Sequence, residues 1–123
     1  MDTLEFSYKI ADLILSKKGY DIKFLDLRKL STIGDYFIIC SADSDMQVKA
    51  IADEVDKRLS KQGIKCYHRE GYESLYWVIL DYFDVVVHIF RNTAREYYGL
   101  ERLWGDAPVT EVSDDFKLPS EVD

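Results

Sequence analysis

The sequence is short of three things: positive charge, proline and cysteine. Lys and Arg number 16 against 23 Asp and Glu, for a formal net charge of -7. A protein that grips nucleic acid through its phosphates needs clustered Lys and Arg, so little or no direct nucleic-acid binding is expected. An acidic surface suits a basic protein partner instead. The two cysteines, Cys40 and Cys66, lie in strand-like runs. They make no disulfide framework and fit a reducing compartment. No basic stretch leads into an apolar one at the N-terminus, so no signal peptide is read. No apolar run nears the length of a membrane span. A cytoplasmic protein without membrane contact is expected. Both prolines, Pro108 and Pro119, fall late in the chain.

What is present is a core. Hydrophobic residues make up 47% of 123 residues, enough for one domain without metal or disulfide help. Helical spacing of Phe6, Ile10, Leu13 and Ile14 predicts an amphipathic helix from Met1 to Gly19, capped by Asp2 with Glu5 three residues on. Tyr20–Leu27 reads as a strand and Arg28–Gly34 as a polar turn. Tyr36–Cys40 reads as a second strand, apolar on both faces and therefore central. Ser44 and Gln47 form a capping box ahead of Val48, Ile51, Ala52, Val55 and Leu59, the cleanest helical pattern in the chain. Gly63 ends that helix, and Ile64–Glu70 reads as a third strand.

Leu75–Leu80 and Val85–Phe90 are two further strands, joined by Asp81–Asp84 closely enough for an antiparallel hairpin. Thr93 and Glu96 have the form of a capping box for a last helix carrying Tyr97, Tyr98, Leu100, Leu103 and Trp104, kinked or split at Gly99. Strands interleaved with helices predict an α/β (α+β) domain with a mixed sheet of about five strands flanked by helices. From Pro108 to Asp123 the chain has five acids and one base, and is expected to be a flexible acidic tail outside a domain of residues 1–107.

Three constellations could carry function. Asp43 and Asp45 follow a strand and precede a helix, as the metal-binding acids of nucleotidyltransferases do, and Asp81 or Asp84 could complete a two-metal set. The preceding residues are Cys40-Ser41-Ala42. They lack the glycine whose backbone would hold a triphosphate, and helix capping also explains Asp43 and Ser44. Cys40, Cys66, His68 and His88 lie on strands, but their spacing fits no zinc site, and His88 reads as a hydrogen-bonded core histidine. The third constellation is a surface. Trp77, Ile79 and Asp81 share one face of their strand, with Tyr76, Val78 and Leu80 on the other. One face must meet the helices. If the other is only partly covered, an aromatic-aliphatic patch remains, rimmed by Asp81, Asp84 and Glu73, of the kind that anchors basic partners. The alternative is that Trp77 packs under a helix.

Two runs carry a resemblance. Trp77-Val78-Ile79-Leu80-Asp81-Tyr82-Phe83-Asp84-Val85-Val86-Val87-His88-Ile89-Phe90 and Arg95-Glu96-Tyr97-Tyr98-Gly99-Leu100-Glu101-Arg102-Leu103-Trp104-Gly105-Asp106-Ala107 resemble the signature of the ribosomal silencing factor (Iojap-related) family. Leu25-Asp26-Leu27-Arg28, Asp35-Tyr36-Phe37-Ile38 and Ala52-Asp53-Glu54-Val55 occur upstream in the family's order. Cys40-Ser41 is a minor departure. The resemblance spans about Leu4 to Ala107. It implies a nucleotidyltransferase-like fold without catalysis and without a cofactor or metal. It implies a translational repressor that binds the large ribosomal subunit through large-subunit ribosomal protein fourteen, blocking association with the small subunit under nutrient limitation. A role in large-subunit maturation is implied too, with self-association through the same apolar surfaces as a competitor. The contact residues expected on this reading are Trp77, Ile79, Asp81, Tyr82 and Asp84, with Tyr98, Arg102 and Trp104 as a second set. The rival is a metal-dependent nucleotidyltransferase using Asp43, Asp45 and Asp81.

Overall fold

The computed structural model describes residues 2–118. The elements are α1 (Thr3–Ser16), β1 (Tyr20–Asp26), β2 (Tyr36–Ala42), α2 (Asp45–Lys61), β3 (His68–Glu70), β4 (Trp77–Asp81), β5 (Val85–Arg91), α3 (Asn92–Tyr98), α4 (Leu100–Leu103) and β6 (Val109–Val112). The strands form one six-stranded sheet in the order β3-β4-β5-β2-β1-β6. Only β2 and β5 pair in parallel, and α2 lies in the connection between them. The mixed α/β reading therefore holds, and β2, buried along its whole length, is central as its two apolar faces require.

Both long helices start where their side-chain chemistry says they should. The Asp2 carboxylate accepts the Glu5 backbone N–H at 2.8 Å, and the Ser44 hydroxyl accepts the Gln47 N–H at 3.2 Å. Gln47 reaches back to accept the Asp43 N–H at 2.7 Å. Val48, Ile51, Ala52, Val55 and Leu59 of α2 are all buried. They pack with Ile10 and Ile14 of α1 on one face of the sheet, against Phe24, Ile38, Val78, Leu80, Val87 and Ile89. The opposite face holds Leu25, Leu27, Phe37, Ile39, Val86 and Phe90, under Leu100 and Ala107. β1, β2, β4 and β5 thus serve two cores through their period of two. The split at Gly99 occurs as expected: its φ of 61° caps α3 and begins α4.

Three expectations are corrected. The third strand is His68–Glu70 alone rather than Ile64–Glu70, and all three of its residues are exposed. Thr93 does not cap α3: β5 runs directly into the helix, Arg91 takes the cap position, and no side chain caps it. Thr93 therefore falls inside the first turn, past the position from which a hydroxyl caps the helix. The chain after Ala107 is not a free tail. β6 pairs antiparallel with β1, placing Val112 opposite Ile22. Phe116 then packs on Tyr8 with ring centroids 5.1 Å apart. The reason is the sheet, since β1 would otherwise present an unpaired edge of backbone donors and acceptors. The sheet has six strands rather than about five for the same reason. The expectation for residues 119–123 lies outside the described residues.

Candidate functional site

The sheet face opposite α1 and α2 is only partly covered. α3 and α4 together are short, and they lie toward the end of β5 and β2 where Arg91 and Ala42 pair. On β4, Val78 and Leu80 are fully buried under the long helices, whereas Trp77 and Ile79 are half-buried on the other side. Gly71, at φ 92°, closes the loop before β4, and a Cβ there would collide with the Trp77 carbonyl. That turn needs glycine to let the backbones meet.

Trp77 is the centre of an aromatic stack. Its ring lies 4.9 Å from Phe90 and 5.0 Å from Tyr98, which is 48% exposed. Its indole Nε1–H donates to His88 Nδ1 at 3.1 Å. The proton of His88 is therefore on Nε2, which is buried and has no hydrogen-bond partner among the described residues. Burial drives the His88 pKa down to about 3. Histidine that is neutral in the fold but protonated in the unfolded chain loses stability as pH falls. The loss begins below about pH 6.5, the unfolded value, and continues toward the folded one. Between pH 7.5 and 5.0 the His88 contribution to unfolding free energy is expected to fall by about 2 kcal/mol. Urea unfolding of the wild type and of His88→Asn, which keeps an acceptor for Trp77, measures it. Equal losses in both proteins would assign the pH dependence elsewhere.

The edge strand supplies the rim. Glu70 pairs with Ile79 and His68 with Asp81, so both share the Trp77 face. His68 Nε2 and Glu70 Oε1 lie 2.6 Å apart on the exposed surface. Arg69 points the other way and meets Asp56 of α2 at 2.9 Å. Glu70 and His68 were missed from sequence because three polar residues give no signal of which face they take until their pairing partner is known.

The expected contact residues divide. Trp77, Ile79, Asp81 and Tyr98 come together on the open face. Trp104, half-buried, joins them edge-on to Phe37 at 5.8 Å. Arg102 is exposed beside Gly99, where its guanidinium donates to the Glu96 carbonyl at 3.1 Å. Asp84 is exposed in the β4–β5 turn. Tyr82 does not belong to this set. It is buried in the opposite core, edge-on to Phe6 at 6.0 Å, with its hydroxyl donating to Asp56 at 3.3 Å. Burial pushes its pKa well above the ordinary phenol value. One residue past Asp81, Tyr82 continues the Val78–Leu80 row and packs under α1 and α2. Glu73, expected as a rim charge, is exposed in the loop before β4 and lines a cleft of about 600 Å³ with Arg69 and Tyr72.

The metal-site readings do not survive the register. Asp81 pairs with Val86, near the start of β5, whereas Ala42 pairs with Arg91 at its end. At strand rise that puts Asp81 about 17 Å from the Asp43 end of the sheet, too far to share a metal pair. Asp43 instead accepts from the Tyr20 hydroxyl at 2.7 Å, and Asp45 pairs with Arg91 at 3.0 Å. Cys40 and Cys66 pack with the α1/α2 core, while His88 faces the other way. The Cys40 thiol is pushed up to about 12 by complete burial.

The two signature runs, Trp77–Phe90 and Arg95–Ala107, point to one family. A family model described as "Ribosomal silencing factor during starvation" matches residues 2–123. The chain belongs to the ribosomal silencing factor family. It is 45% identical to the ribosomal silencing factor RsfS of Bacillus subtilis over 96 residues, covering 78% of this chain and 81% of that one. It is 42% identical to RsfS of Halalkalibacterium halodurans over 112 residues, covering 91% and 96%. The chloroplastic protein Iojap of Zea mays is 33% identical over 111 residues, which is 90% of this chain and 48% of Iojap. A crystal structure of a Chromobacterium violaceum protein superimposes with a TM-score of 0.82 at 34% identity, covering 100% of both chains. As a ribosomal silencing factor family member, the chain carries a ribosome-associated role in translation regulation. Among the described residues, no helix is long and apolar enough to cross a membrane.

Proposed function

We propose that this silencing factor represses translation by occlusion. It binds the large ribosomal subunit through large-subunit ribosomal protein fourteen, with the Trp77–Ile79–Tyr98 face as the contact. In that position it blocks association with the small subunit and lowers translation when nutrients are limiting. The observation that carries this reading is the half-open aromatic face with Glu70 and Asp81 at its rim, on a chain of this family. Interface hot spots are rich in Trp and Tyr, and acidic rims select basic partners. A domain of this size can fill a subunit contact, because standard interfaces are small by comparison. Occlusion needs no turnover, so no enzyme activity is assigned. The action is placed in the cytoplasm. A second copy seated on the same face would compete with the ribosome.

Co-sedimentation with separated ribosomal subunits, without added nucleotide, tests the reading. Association with the large subunit alone, together with reduced subunit joining, is the expected result. A folded sample that sediments with neither subunit would overturn it.

A further inference from the structure

The turn between β4 and β5 holds a residue that packing does not require. Phe83 has φ 76°, in the left-handed region that a bulky side chain rarely adopts. Its ring is nonetheless 67% exposed. The ring contact it makes is with Tyr67, 5.6 Å away and itself 75% exposed. The turn does not depend on that ring. The Asp81 carboxylate accepts the Phe83 N–H at 2.8 Å, and Tyr82 N–H donates to the Val85 carbonyl at 2.9 Å. Glycine would meet every backbone demand of the turn without strain. A strained backbone holding an aromatic pair in solvent is the kind of outlier that points toward use rather than stability.

The surroundings say what would use it. Asp81 and Asp84 flank the ring in sequence, and Asp35 is tied to the turn by its N–H on the Asp84 carbonyl at 2.7 Å. None of these three carboxylates forms an ion pair among the described residues. Aromatic faces attract cations, and unpaired carboxylates beside them strengthen the attraction. The same charges repel RNA phosphates. The tip adjoins the open face at Asp81, which ends the Trp77–Ile79–Asp81 row and begins the turn.

We infer that the Tyr67–Phe83 tip is a second anchor, which seats a Lys or Arg side chain of the basic ribosomal protein bound by the Trp77 face. The inference rests on the reading given under Proposed function. Phe83→Gly separates it from a packing role. Relief of the left-handed strain is expected to keep Tm within about 2 °C of wild type or raise it by a few degrees. Affinity for purified large subunits is expected to fall about 5–20-fold. Tyr67→Ala is expected to weaken binding in the same range, and raised salt should shrink both differences.

If Phe83→Gly and Tyr67→Ala bind as wild type while Trp77→Ala does not, the anchor is overturned and the face stands. Wild type that fails to bind large subunits overturns both. A Tm lower by more than about 5 °C in Phe83→Gly makes Phe83 a packing residue, and Tyr67→Ala then decides: unchanged affinity ends the proposal, and the expected weakening supports it.

Discussion

Trp77→Ala is expected to weaken binding to the large subunit by about 30–150-fold, the range of an interface hot spot of about 2–3 kcal/mol. Its indole is stacked on Phe90 and Tyr98 and tied to His88, so it is held rigid before any partner arrives. A preorganised aromatic loses little side-chain entropy on binding, and that is why such residues dominate interfaces. The same substitution also touches the fold. It removes a half-buried ring and leaves the buried Nδ1 of His88 without its donor, a stability cost of about 1–2 kcal/mol. Binding must therefore be measured on protein shown to be folded by circular dichroism, well below its Tm. Unchanged affinity in folded Trp77→Ala would make the indole a core residue and move the contact elsewhere on the surface.

Arg95→Met is expected to cost about 3–4 kcal/mol of unfolding free energy, because it breaks a buried charge network by removing one partner. Arg95 is 8% exposed, the only charged side chain among the buried described residues. From α3 its Nε–H donates to Glu101 at 2.7 Å, and Nη1 donates to the Asp21 carbonyl at 2.7 Å and the Ser41 hydroxyl at 2.9 Å. One guanidinium thus joins α3, α4 and the ends of β1 and β2. Burial pushes the Glu101 carboxyl up, but the hydrogen bond and charge of Arg95, helped by Lys23, outweigh it and leave the pKa below its ordinary value. Without Arg95 the carboxylate keeps only Lys23, at 3.3 Å. A fall in Tm of about 10–15 °C follows at this chain length. Arg95→Lys should recover only part of it, since a single ammonium cannot reproduce the fork. A Tm change under about 3 °C for Arg95→Met would show that burying the pair had already cancelled its attraction.

The network shows where sequence reading stopped. Arg95 stood in a recognisable run, but nothing in that run says that it crosses to Asp21 and Ser41, far apart in the chain. His88 illustrates the opposite case: a lone histidine in an apolar strand was readable as neutral and hydrogen-bonded, though its donor, Trp77, was not. Tyr82 entered the contact set through the signature run, although alternation carried one residue past Asp81 puts it with Val78 and Leu80, in the core where it lies. The acid pair Asp43 and Asp45 looked open to Asp81 until the register set them at opposite ends of the sheet.

The sequence by itself determined the two long helices, the central strand, the β4–β5 hairpin and the family. Those features rest on local periodicity, on capping side chains within a few residues of their targets, and on contiguous motifs. Only the tertiary structure decided that Val109–Val112 completes the sheet, that Glu70 and His68 join the Trp77 face, and that Arg95 is buried. Each of those depends on which strands lie side by side. Strand pairing is made by backbone groups that every residue carries, so side-chain pattern within one segment does not name the partner segment.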